Sequence, residues 1–143
     1  MNDIQASDIR EICSRIELQT VASSSVRAVG YDKDESILLI DYYDDSQLAY
    51  IEVDRFHHRN IMHTSETYKC GVGRYLREKV YGNYSCVCIR YPANDWRRIV
   101  SDFIGQIEMP GTVYEDKNGH DLRNNARYIA LRKLLPPERA ETA

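Results

Sequence analysis

Apolar residues recur at helical spacing in "DIREICSRIEL", where Ile9, Ile12, Cys13 and Ile16 fall on one face and Asp8 with Glu11 can form a reciprocal N-terminal cap. This predicts a leading helix within residues 1–19 whose stripe needs a sheet or a helix to cover it. The pattern then changes to period two. "VASSSVRAVGYD", "ILLIDYY" and "QLAYIEV" read as strands, and only "DDS" separates the last two, so they can pair only antiparallel. Strict alternation puts Leu38, Ile40 and Tyr42 on the expected core face of the middle strand, opposite Leu39, Asp41 and Tyr43. In the strand before it, the same alternation puts Arg27 on the face of Ser23, Ser25 and Val29.

Further along, "RFHHRNIMH" is mixed and predicts a turn of helix, whereas "VGRYLREKVYG" lines Val72, Tyr75, Leu76 and Val80 on one helical face with Gly82 as a stop. "YSCVCIRY" predicts a strand with Val87, Ile89 and Tyr91 opposite Cys86, Cys88 and Arg90, ended by Pro92. "NDWRRIVSDFIGQI" returns to helical spacing through Trp96, Ile99, Val100, Phe103 and Ile107, and "TVYE" reads as a short edge strand. "DLRNNARYIALRKLL" predicts a last helix with Arg132 and Lys133 in its final turn, stopped by Pro136 and Pro137. The expected fold is α+β: an N-terminal helix, a small antiparallel sheet with an inserted helix, and a helical C-terminal addition. The expected organisation is one compact domain over residues 1–143, with a leading helix at 1–19, a core at 20–91, a mostly helical part at 92–135 and a tail at 136–143.

A chain of 143 residues sits at the usual size of one domain and has room for one core. Eleven tyrosines against two phenylalanines and one tryptophan change the picture, because each buried ring needs a partner for its hydroxyl. Half-buried sheet surface, subunit contact and stacking on a planar ligand all fit. The net charge of −3 is uneven: residues 1–69 carry 7 Lys/Arg against 13 Asp/Glu, and residues 70–143 carry 12 against 9. That balance is weak for a polyanion binder, yet two or three converging arginines are enough for a small anion. The chain has no run of eighteen apolar residues, and "MNDIQASD" lacks the basic and apolar parts of a signal peptide. The expectation is a cytoplasmic protein without a membrane partner, its Cys13, Cys70, Cys86 and Cys88 reduced.

The chemical candidates separate by spacing. "ASSSV" has no glycine within four residues, so a hydrolase-type nucleophile is disfavoured and Ser23, Ser24 and Ser25 read as hydroxyls that brace a bend or face a ligand. Cys86 and Cys88 make one tight pair with the wrong gap for zinc, and no cofactor is expected. "CGVGRYL" leads two glycines into a helix start beside Arg74; it lacks the full P-loop pattern, and it either lets the chain turn or holds an anion. Asp32, Asp34, Glu35, Asp44 and Asp45 read as solvated turn residues. The remaining set is guanidinium and planar groups: Arg27, Arg90, Tyr91, Asn94, Trp96, Arg97, Arg123 and Arg127. Arg123 and Arg127 are four apart and share a helix face, where either an acid or a bound anion must separate them.

The first half resembles the KTSC domain family. Val21, Ser23, Ser24, Val26, Val29, Gly30, Tyr31 and Asp32 fit its opening block, Tyr50 and Val53 its second strand, and Gly73, Tyr75 and Leu76 its helix start. Ser46 stands near the hairpin glycine of that pattern, Leu48 takes an aromatic place, Arg77 replaces a helix Asn, and the Lys-Thr-Ser-Cys piece becomes "TYKCG". The resemblance implies a small α+β fold. In combination, the leading helix, the KTSC-like centre, the Arg- and Asn-rich helical tail and the length of 143 residues also resemble the phage proteins that counter Thoeris defence. That likeness implies a phage-encoded, homo-oligomeric, non-enzymatic sponge that sequesters a cyclic ADP-ribose-type signal in the host cytoplasm. An RNA- or DNA-binding accessory module and a structural or protein-interaction role are the alternatives.

Overall fold

The computed structural model describes residues 6–108, 115, 118–119, 121, 126–135 and 139–140. The chain divides into two compact units, residues 1–92 with 138–143, and residues 93–137. The first unit holds a six-stranded antiparallel sheet in sequence order. Its strands are β1 (Gln19–Thr20), β2 (Val26–Asp32), β3 (Ile37–Tyr42), β4 (Gln47–Tyr50), β5 (Cys86–Arg90) and β6 (Arg139–Ala140). Helix α1 (Ala6–Ser14) precedes them, and α2 (Arg55–Tyr68) and α3 (Val72–Lys79) lie between β4 and β5. Among the described residues the second unit holds α4 (Trp96–Glu108) and α5 (Ala126–Leu134), with a bridge between Glu115 and Asp121. This is the expected α+β arrangement. No helix among the described residues is long and apolar enough to cross a membrane.

The sheet is buried on both faces. Val26, Val29, Leu38, Ile40 and Tyr50 pack with Ile61 of α2 and Val72 and Leu76 of α3. On the other face Ile37, Leu39, Ala49, Ile51 and Val87 pack with Ile9, Ile12 and Cys13 of α1. Alternation assigned only the Leu38 face to the core. The apolar run Ile37–Ile40 is instead buried throughout, as expected for a strand covered on both sides. The chain crosses β2 so closely after α1 that a Cβ on Gly30 would stand 2.7 Å from the Glu17 carbonyl oxygen. Only a glycine fits there.

Two local expectations change. The segment read as a single turn is the fourteen-residue α2, capped by Asp54, whose side chain accepts from the Phe56 amide. Its inner face carries His57, Ile61 and Ser65, so polar side chains occupy positions where an apolar stripe would have marked the helix. Asp8 lies in the first turn of α1, where a carboxylate favours the helix N-terminus through the dipole and is not the cap itself. The "TVYE" strand and the start of the last helix lie outside the described residues, apart from Glu115 and Asp121.

Because α1 is the only described helix packed with the Leu39 face, its inner residues should weigh like core residues. Ile9→Ala, at a fully buried position, is expected to cost about 2–5 kcal/mol in urea unfolding. Ile99→Ala, on the exposed side of α4, should stay within about 0.5 kcal/mol.

Candidate functional site

Asp41 sits on β3 with only 5% of its surface exposed, and the side chains bonded to its carboxylate come from β2, β4 and β5. Arg27 Nε–H donates to Oδ2 at 2.7 Å, Arg90 Nη2–H to Oδ1 at 2.8 Å, and the Gln47 side-chain amide to Oδ1 at 3.3 Å. Arg27 also reaches Asp45 at 3.0 Å, and Arg90 donates to the Asp45 carbonyl. Hydrogen bonds from Asp41, then Asp45, push the Arg27 pKa further up.

Strict alternation does not bring these groups together; two irregularities do. Val26 faces Tyr42 and Ala28 faces Asp41, so Arg27 is an extra residue on β2. Cys88 faces Leu48 and Arg90 faces Gln47, so Ile89 is an extra residue on β5. A bulge shifts the phase of every side chain beyond it and re-aims the side chain at the bulge. Arg27 therefore lies on the face of Asp41 and Ala28, not on that of Val29 as alternation predicts, and Arg90 lies on the same face. Arg10 of α1 donates to the carbonyls of Cys88 and Ile89, at 2.9 and 2.8 Å, which satisfies backbone acceptors at the second bulge.

Of the residues singled out in the sequence, Arg27 and Arg90 are thus brought together, each engaged by acids of the same chain. Tyr91 is half-buried directly after β5. In the second unit Asn94 is exposed, Trp96 opens α4 with its ring exposed, and Arg97 forks onto Asp95. Those hydrogen bonds hold the Asp95 carboxyl down at about 2. Arg123 lies outside the described residues; Arg127 is on α5 and its side chain is not among those described.

A second cluster lies at the other end of the Ser-rich stretch. An open cleft of about 540 Å³ is bounded by Ser23, Ser24 and Ser25 on one side and by Lys69, Cys70, Gly71, Gly73, Arg74 and Arg77 on the other. The wall from Lys69 to Arg77 is the tight link from α2 into α3. Lys69 ends α2 in the left-handed region at φ 53°, and Gly71 starts α3 at φ 89°. A glycine is the residue for the second of these turns. No side chain caps α3, and the backbone of Gly71 and Gly73 at its start lines the cleft. The serine wall is fixed by hydrogen bonds. Ser23 Oγ accepts from the amides of Ser25 and Val26 at 3.3 and 3.2 Å, and the Ala22 amide donates to Ser65 Oγ of α2 at 2.8 Å.

Arg74 is paired with Glu78 at 3.0 Å on the exposed face of α3. Lys69 and Arg77 make no ion pair among the described residues, and no acid lines the cleft. The cleft is therefore lined by cations, hydroxyls and amides, a composition that favours an anion. The glycines and serines were each visible in the sequence as candidates; what the sequence did not show is that they face each other.

Near the start of α2, His57 ties this helix to α3. Its Nδ1 lies 2.8 Å from the Tyr75 hydroxyl and its Nε2 3.0 Å from that of Tyr84, while Asn60 donates to the same Tyr75 oxygen. Burial lowers the His57 pKa, Asp54 opposes the shift and Lys79 adds to it. Burial lowers that of His58 as well.

Residues 22–84 match the sequence model of the KTSC domain. A crystallised KTSC domain protein from Yersinia pestis is similar at 28% identity, with a TM-score of 0.45, over 52% of this chain and 97% of that one. No curated protein matches the chain. Every residue that bounds the cleft falls inside the matched segment, whereas Arg90 and the whole of the second unit fall outside it.

Two outcomes follow from the clusters. Asp41→Ala leaves two arginines facing each other without their acid, and is expected to destabilise more than Arg27→Ala or Arg90→Ala alone in chemical denaturation. For His57 the folded pKa lies below the ordinary 6.5, so the unfolded chain binds the proton first. Stability should therefore be full above pH 6.5 and fall as the pH drops through that value, and His57→Gln should flatten the slope in thermal melts across pH.

Proposed function

We propose that this chain, which belongs to the KTSC domain family through residues 22–84, binds and holds a small nucleotide-like anion without chemically changing it. The observation that carries the reading is the cleft itself: cationic and hydroxyl groups and the backbone of two glycines line one volume, no carboxylate lines it, and of its cations only Arg74 is paired with an acid among the described residues, Glu78. At about 540 Å³ the space is of the size that takes a small organic ligand, and it is larger than a bare phosphate needs. Charge-assisted donors suffice for holding; no nucleophile, base or metal enters the reading.

The finer reading, supported by the likeness of the whole chain to phage anti-Thoeris proteins, is sequestration of a cyclic ADP-ribose-type signal by a homo-oligomer. The tyrosines supply planar surfaces on which a base can stack.

Isothermal titration with cyclic ADP-ribose isomers, ADP-ribose and cyclic dinucleotides tests both levels. At least one of these is expected to bind and to be released intact on denaturation. Lys69→Ala combined with Arg77→Gln should weaken it by roughly tenfold or more, as for loss of charged hydrogen bonds. A folded protein that binds none of them, or a double variant that binds as well as the wild type, contradicts the reading.

A further inference from the structure

Several polar groups of the cleft gather at Gly73, which itself offers only backbone. A Cβ placed on Gly73 would stand 3.6 Å from Ser25 Oγ, 3.7 Å from Arg77 Nη1 and 4.0 Å from Ser23 Oγ. Two hydroxyls and a guanidinium thus surround a space that any other residue would fill. These are ordinary contact distances, so the backbone itself tolerates a methyl group there.

The hydrogen-bond roles at this point are constrained. Ser23 Oγ already accepts two backbone amides, which occupies both of its lone pairs. Its remaining capacity is to donate. Arg77 and Lys69 have donors only, and neither has an ion pair among the described residues. A ligand group that only donates, such as an ammonium, finds no acceptor in Ser23, Arg77 or Lys69. A group that only accepts finds all three.

We infer that Gly73 is the seat of a phosphoryl group, held by the outward-donating hydroxyl of Ser23, by Ser25 and by Arg77, with Lys69 supplying further positive charge. The inference rests on the anion-binding reading above and narrows it from an anion to a phosphorylated ligand. A phosphoryl group offers oxygens splayed in three directions, which matches donors converging from the serine wall and from α3. A carboxylate accepts as many hydrogen bonds but brings a single charge to the two cations Lys69 and Arg77, whereas a terminal phosphoryl group carries about −1.5 to −2 near neutral pH. The missing side chain at Gly73 is then a determinant of binding rather than of folding, since alanine is the better residue inside a helix.

The test uses inorganic pyrophosphate as the probe, followed by isothermal titration and by ³¹P NMR, with citrate as a carboxylate competitor. Wild-type protein is expected to bind pyrophosphate and to keep it in the presence of citrate. Gly73→Ala should melt no lower than wild type yet bind about tenfold more weakly or worse, the cost of losing a charge-assisted contact. Ser25→Ala, which removes a hydroxyl on the exposed serine wall, is expected to weaken binding by a smaller factor without lowering the melting temperature. If Lys69→Ala with Arg77→Gln abolishes binding while Gly73→Ala and Ser25→Ala bind as wild type does, the seat is wrong and the cleft reading survives. Displacement of pyrophosphate by equimolar citrate overturns the phosphoryl preference. A wild-type protein that binds no phosphate compound overturns the seat and the cleft together.

Discussion

The Asp41 carboxylate is the constraint from which much of the first unit follows. A buried acid on a central strand is costly unless its charge is matched, and the two arginines that match it come from β2 and β5, on either side of the β3–β4 hairpin. Neither would point at it in a regular sheet. Each strand inserts one residue, at Arg27 and at Ile89, and the α1 residue Arg10 takes up the carbonyls beside the second insertion. The ion cluster, the bulges and the helix packing are thus mutually dependent. Arg27 also stands two residues after Ser25, whose carbonyl accepts from the Tyr43 amide. Pinning the start of β2 in this way fixes the serine wall of the cleft, so a structural ion cluster positions a binding surface that it does not itself touch.

The family match and the completed fold do not coincide. The matched segment runs from the serine wall through β2, β3, β4, α2 and α3, and contains most of one hydrophobic face of the sheet, all but Val21 and Cys86 of its buried residues, with the two covering helices. The other face of the same strands, with Ile37, Leu39, Ala49 and Ile51, is covered by α1 and extended by β5, both outside that segment. A sheet with apolar residues on both faces cannot leave one of them to water. The additions before and after the matched core therefore complete its burial, while the cleft lies wholly within it.

The sequence showed the order of helices and strands because most of them carry clean periodicity: α1 through Ile9, Ile12 and Cys13, α3 through Val72 and Leu76, β2 and β3 through their β-branched runs. It failed where a polar residue takes an inward position. The length of α2 was hidden because His57 and Ser65 face the core, each made acceptable by a specific partner rather than by apolarity. The face of Arg27 was hidden because a bulge leaves no composition signal when it falls at an arginine instead of a glycine. The candidate site was half legible. The hydroxyl run and the glycine pair were both noticed, but their juxtaposition depends on long-range contact between the start of β2 and the α2–α3 link, which no local pattern encodes. Of the arginines singled out in the sequence as ligand-binding candidates, Arg27 and Arg90 are the counter-charges of Asp41.

The central claim is where an anion binds, and amide chemical-shift mapping reads that directly. In ¹H–¹⁵N spectra recorded during a pyrophosphate titration, the amides of Ser23 to Val26 and of Val72, Gly73 and Arg74 should move together and saturate at one concentration. Shifts confined to the neighbourhood of Arg27 and Arg90, or to α4 and α5, with the amides around Gly73 unmoved, would contradict the account.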